Sequence, residues 1–200
     1  MIPAEALTGG FADPVFDAQR AFRGMLDALS RPGRLVDLGT VAVPPAPLLS
    51  GTAAILAALA DDTTPVWLDA GLMPTAVPAW IGFQTGAPTV SDPARATIAV
   101  VSDARRMPAL DVFAEGSAEY PDRSTTLVLQ LPALTGGAPL ALRGPGIAGT
   151  AEIAPAGLPD DFAARMAANR ALFPRGVDLF LAAGSRILGL PRTVRIAEPA

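Results

Sequence analysis

The clearest periodic signal in the chain runs from Asp13 to Ser30. Val15, Ala18, Phe22, Met25, Leu26 and Leu29 recur at the spacing of one helical face. Asp13 can offer a side-chain oxygen to the orphan amides of the first turn, and Pro14 suits a first helical position that needs no amide. Arg20 and Arg23 fall on a neighbouring polar face, and Pro32-Gly33 stops the helix. The pattern predicts an amphipathic helix whose apolar face meets the core.

Further along, apolar runs are short and separated by Pro, Gly and Asp. Arg34 to Leu38 reads as a short strand and Leu48 to Ala60 as an alanine-rich helix ended by Asp61-Asp62. Pro65 to Leu68, with Trp67, reads as a strand, and Pro74 to Phe83 as an interrupted helix. Thr97 to Val101 is β-branched enough for a buried strand, and Pro108 to Glu115 suits a helical turn or two. Thr125 to Leu131 and Leu140 to Leu142 read as strands joined by a Gly136-Gly137 turn, with Ala151 to Ala154 extending their sheet. Asp160 or Asp161 opens a helix to Leu172, and Val177 to Leu181, Arg186 to Leu190 and Thr193 to Ile196 supply the last strands. Helix and strand alternate early and hairpin-like strands dominate late. This order predicts an α/β fold with one mixed sheet and helices on its faces.

Half of the 200 residues are hydrophobic, enough for one domain spanning 1–200 with a substantial core. Leu38 to Ala60 carries no charge and is long enough to span a bilayer, but Pro44, Pro45 and Pro47 would leave backbone groups unbonded in lipid. A buried segment is expected instead. Met1 to Gly10 holds Glu5, no basic residue and no apolar run, which points away from a signal peptide and toward the cytoplasm. The net charge of −4 gives no electrostatic case for nucleic acid.

Chemistry is narrowed mainly by absence. The chain has no histidine, no cysteine and no lysine; all fifteen basic residues are arginines. Schiff bases, thiolate catalysis, Ser-His-Asp triads and the usual zinc sites are thereby excluded. Carboxylate, tyrosine and arginine chemistry stays open. Asp61-Asp62 and Asp160-Asp161 could hold magnesium, yet neighbours in sequence rarely converge on one ion, and capping suits both pairs better. No metal or cofactor is expected. Arg143-Gly144-Pro145-Gly146-Ile147 follows an apolar strand; glycines admit a phosphate to backbone amides and an arginine beside them could clamp it. The same residues also make an ordinary tight turn. Arg20, Arg23, Arg31 and Arg34 gather around the first helix, either as a solvated face or as a surface for a partner protein. Trp67 reads as core, and Tyr120 sits in a polar loop.

Six segments in order resemble the PhnH subunit family of bacterial carbon–phosphorus lyase. They are Phe16-Asp-Ala-Gln-Arg-Ala-Phe-Arg23, Ser30-Arg-Pro-Gly33, Ala60-Asp-Asp-Thr-Thr-Pro-Val-Trp-Leu68, Leu142-Arg-Gly-Pro-Gly-Ile147, Phe173-Pro-Arg-Gly-Val-Asp-Leu179 and Leu190-Pro-Arg-Thr193. The resemblance implies a homodimer that joins PhnG, PhnI and PhnJ. With them it helps form alpha-D-ribose 1-methylphosphonate 5-triphosphate from MgATP and methylphosphonate, displacing adenine. It also implies a three-layer αβα fold similar to the large domain of pyridoxal-phosphate transferases, without the cofactor lysine, and assigns no catalytic residue. Two function classes follow: an accessory subunit inert alone, or a free-standing Asp, Glu or Arg enzyme acting on a phosphorylated small molecule. Arg143, Gly144, Gly146, Arg20 and Arg23 are the candidate ligand or partner residues.

Overall fold

The computed structural model describes residues 4–39 and 41–197; the first three residues of the Met1 to Gly10 segment lie outside it. The main sheet has seven strands in the order β1-β9-β8-β5-β4-β2-β3. Here β1 is Val36–Asp37, β2 Val66–Leu68, β3 Thr89–Val90, β4 Ile98–Val101, β5 Thr126–Gln130, β8 Asp178–Ala183 and β9 Arg186–Leu190. From β8 to β3 neighbouring strands run parallel, and β9 and β1 each add antiparallel at the other edge. The mixed α/β sheet foreseen from the alternation of elements is therefore present.

A second sheet was not foreseen. It is antiparallel, in the order β10-β6-β7, from Leu140–Arg143 (β6), Ala151–Ile153 (β7) and Arg195–Ala197 (β10). The expected hairpin between the fifth and sixth strands across Gly136-Gly137 does not form. Both edges of β5 are already occupied by β4 and β8, and its residues Leu127 to Gln130 are all buried. That unbroken burial is the signature of a central parallel strand, which leaves no edge for a hairpin partner. Gly137 instead donates its amide to Ala154 O, and the chain crosses to the second sheet.

Three helices cover one face of the main sheet: α1 (Pro14–Ser30), α2 (Ser50–Leu59) and α3 (Val77–Thr85). Their shared core holds Met25, Ile55, Leu56, Trp80 and Ile81 against Val66, Val100 and Phe180. The other face is covered by α4 (Phe162–Ala171), the short turns Ala104–Arg106 and Leu110–Val112, and the second sheet. Leu127, Leu129, Phe162, Met166, Leu142 and Ile153 meet there. In the Leu38 to Ala60 run, whose Thr40 lies outside the described residues, a proline-rich loop leads into the ten residues of α2, buried from Gly51 to Leu56. No helix among the described residues is long and apolar enough to cross a membrane.

Helix α1 begins as its sequence dictates. The Asp13 carboxylate accepts the Phe16 amide at 3.3 Å, and Pro14 opens the first turn. Its orientation, however, differs from the expected one. Asp17, Ala21, Met25 and Ala28 form the buried face, while Val15, Phe22 and Leu26 point outward. The reason is close approach: a Cβ on Gly189 of β9 would stand 2.6 Å from the Ala28 carbonyl carbon and oxygen. The helix therefore sits low on β9 at Ala28, and Met25 is accommodated on the same buried face. Trp67 is a smaller correction, being half-buried and edge-on to Phe113 at 5.6 Å, whereas Trp80 is the fully buried tryptophan.

Candidate functional site

Outward rotation of α1 leaves four large apolar side chains in water. Val15 is 73% exposed, Phe16 64%, Phe22 45% and Leu26 52%. Val15, Phe22 and Leu26 lie seven and four residues apart and so form one stripe. Beside it stand Arg20 and Arg23. Arg20 approaches Asp17 at 3.6 Å, and Arg31 and Arg34 both reach Asp27, at 2.7 and 3.2 Å. Arg23 pairs with no carboxylate among the described residues. Two carboxylates thus face four arginines, of which Arg31 and Arg34 lie past the end of the helix, so the positive charge beside the apolar stripe is only partly offset. Exposed apolar side chains grouped on one helix face make it a candidate interaction surface.

The Arg143 loop adjoins the exit of α1. Gly144 and Gly146 both have positive φ, at 149° and 80°. A Cβ on Gly146 would fall inside the contact radius of Ser30 O and close to Pro32, so the loop lies directly on the Ser30–Gly33 turn. Two of the sequence segments quoted above are therefore one structural unit. Arg143 ends β6 with its side chain exposed and donates through Nε to Thr150 Oγ at 3.0 Å. The rest of its guanidinium fork is available to an oxyanion. Arg20 and Arg23 lie further back along α1, seven or more residues from Ser30, or roughly 10 Å at about 1.5 Å per residue. The five candidates occupy two connected places, not one pocket.

The paired aspartates have other work. Asp61 accepts from the Thr63 amide and from the Thr63 and Thr64 hydroxyls at 2.8 to 2.9 Å, which hold its carboxyl below the usual carboxylate range. Asp161 stands at the N-cap position of α4 without a side-chain cap bond and pairs with Arg165 at 2.8 Å. Tyr120 lies under the Arg123 guanidinium, 4.0 Å from its ring centre.

One cluster escaped the sequence reading. Arg192 and Asp178 fall in two of the quoted segments, Leu190 to Thr193 and Phe173 to Leu179, and pair at 2.6 Å. Arg192 also donates to Pro121 O, Pro174 O and Ser124 Oγ, which fastens three loops to the end of β8. The signal lay in the motif itself, an arginine after proline at a strand end, but the spacing of fourteen residues gave no geometric cue.

The described residues combine a mixed-sheet α/β domain, exposed apolar side chains on α1 and an arginine-glycine loop beside its exit. Comparison with known proteins makes the class specific. The model of the bacterial phosphonate metabolism protein family (PhnH) matches residues 9–197, and the chain belongs to that family. It is 48% identical over 193 residues to a Rhizobium meliloti protein named alpha-D-ribose 1-methylphosphonate 5-triphosphate synthase subunit PhnH, covering 96% of each chain. A Stutzerimonas stutzeri protein named putative C-P lyase subunit HtxG is 28% identical over 179 residues, covering 89% of this chain and 85% of that one.

Proposed function

We propose that this protein is a subunit of the carbon–phosphorus lyase system, working with PhnG-, PhnI- and PhnJ-type partners to form alpha-D-ribose 1-methylphosphonate 5-triphosphate from MgATP and methylphosphonate. The observation that carries the reading is the 48% identity to the Rhizobium meliloti subunit along 96% of both chains. The chain does no chemistry alone: it lacks the histidine, cysteine and lysine from which nucleophile–base pairs are usually built. It works in the cytoplasm as a homodimer of one folding unit. Its parallel core, strands β8, β5, β4, β2 and β3, is comparable with the large domain of pyridoxal-phosphate transferases and carries no aldimine lysine.

The stripe of Val15, Phe22 and Leu26, with Arg20 and Arg23 beside it, is the surface best suited to a partner subunit. Apolar and aromatic anchors with arginine nearby supply most of the energy at such interfaces. The Arg143 loop, with Gly144 and Gly146, serves a phosphate-bearing ligand or the same partner.

Genetic replacement tests the assignment. This coding sequence should restore growth on methylphosphonate to Rhizobium meliloti lacking its own subunit. Failure at normal expression would remove the assignment. Replacing Phe22 and Leu26 together by serine should abolish co-purification with the other subunits and leave the melt within about 4 °C, since exposed sites change stability by about 0.5 kcal/mol or less each. Arg143→Lys, which keeps charge and loses the fork, should slow growth on methylphosphonate without unfolding the protein. Wild-type growth and assembly in these variants would show that neither surface is used.

A further inference from the structure

Strands β2 and β4 are parallel neighbours whose outgoing chains part company. From β2 the chain passes through α3, on one face, to β3; from β4 it passes through Met107, Leu110 and Phe113, on the other face, to β5. Such a divergence leaves a crevice at the carboxyl ends of the strands that no connection fills, and α/β proteins bind ligands there. This chain has an open cleft of about 380 Å³ at that point, lined by Trp67, Asp69, Ser102, Asp103 and Arg106.

The frame of the cleft is braced. Asp69, just past β2, accepts the Ser102 amide at 2.8 Å and its hydroxyl at 2.7 Å with one oxygen. The other oxygen accepts the amides of Gly71 and Leu72 at 3.1 and 3.2 Å. Its acceptor capacity is taken up in joining the two loops, so it sets the width of the gap. Asp103 is bound by both arms of Arg105 at 3.0 Å. Arg106 is exposed and pairs with no carboxylate among the described residues. Trp67 is half-buried, held edge-on by Phe113, and supplies apolar area to the same cleft. An aromatic wall and an unpaired guanidinium beside a rigid polar floor make a complementary pair of contacts.

We propose that this crevice binds a small organic oxyanion bearing a flat or apolar substituent, with Arg106 holding the anion and Trp67 the substituent. The site lies apart from the α1 surface. That helix packs on β9, three strands away from β4, or roughly 14 Å at about 4.8 Å per strand. It therefore goes beyond the subunit reading and stands or falls separately.

The probe is phenylphosphonate, followed by calorimetry and by tryptophan emission. Only Trp67 and Trp80 emit, and Trp80 is fully buried, so a change reports the cleft. Phenylphosphonate should quench emission and bind more tightly than methylphosphonate, and benzylamine should not bind. Arg106→Gln should weaken phenylphosphonate about tenfold or more, the worth of one charge-assisted hydrogen bond. Trp67→Leu should remove the preference for the phenyl group; melts of both variants establish that they are folded. Absence of binding up to about 10 mM would overturn the proposal. So would affinity unchanged in Arg106→Gln; loss in Arg143→Gln instead would move the anion site to the other loop. Complementation by the wild type is read in a different assay, so either idea can fail without the other.

Discussion

Replacing Arg192 by leucine should be among the most damaging single changes at the surface of this protein. Its guanidinium is bonded to both oxygens of Asp178, at 3.1 and 2.6 Å, to Ser124 Oγ at 2.6 Å, and to the carbonyls of Pro121 and Pro174 at 2.8 and 3.2 Å. The arginine side chain is 11% exposed and that of Asp178 28%. Removing one partner of a fully buried pair costs about 3 to 5 kcal/mol, because the remaining charge is stranded. Water can reach Asp178 in part, and its bond from the Arg192 amide at 2.7 Å survives, so the lower end applies, about 3 kcal/mol. For a chain of this length that corresponds to a fall in Tm of roughly 6 to 12 °C. Urea unfolding of wild type, Arg192→Leu, Asp178→Asn and the double variant measures it directly. The cycle should return a coupling of about 1.5 kcal/mol or more, and Arg192→Lys should recover only part of the loss. An Arg192→Leu cost under about 1 kcal/mol would mean that the three loops are held by packing and that the hydrogen bonds are incidental.

Two further outcomes follow from local geometry. Gly146→Ala should cost about 2 kcal/mol in urea unfolding, since it adds a collision with the Ser30 carbonyl to a strained φ; Gly136→Ala, with a similar φ of 83° and open space around it, should cost only about 1 kcal/mol. Arg105 holds the Asp103 carboxyl below the usual carboxylate range through their two-armed bond. A depressed folded pKa stabilises fully above the unfolded value of about 3.9 and is lost as pH falls through the folded one. Arg105→Gln should therefore lower Tm slightly above about pH 4, with the difference from wild type shrinking as the pH falls further, a small effect because both side chains meet water.

Element type was readable wherever local chemistry decides it. Asp13-Pro14 and Pro32-Gly33 bracket α1, and the β-branched run at Thr97 to Val101 contains β4. Partner choice was not readable, because it depends on which strand edges the rest of the chain has already filled. Thr125 to Leu131 and Leu140 to Leu142 carry the same apolar character and a glycine turn between them, yet they belong to different sheets. The discriminating sign was the unbroken apolar run of Leu127 to Leu129, which fits a strand buried on both faces better than one arm of a hairpin. Thr89–Val90, two residues beside Pro88, is too short to register as a strand without β2 next to it.

The α1 surface shows why periodicity alone misplaces the exposed face of a helix. A three-and-four repeat identifies residues that share a face, and a preference for burying large side chains then turns that face inward. Here the inward face is Asp17, Ala21, Met25 and Ala28, and Gly189 admits the helix backbone close to the sheet at Ala28. Close packing of small residues stabilises the helix from below, and Val15, Phe16, Phe22 and Leu26 are left for a surface that the monomer does not cover. The same segment that resembles a known family at Phe16 to Arg23 is thus conspicuous on physical grounds as well. In a chain without histidine, cysteine or lysine, apolar side chains left 45 to 73% exposed forgo part of the about 1.5 to 3 kcal/mol that full burial of each would bring, which makes this face of α1 the first surface to test.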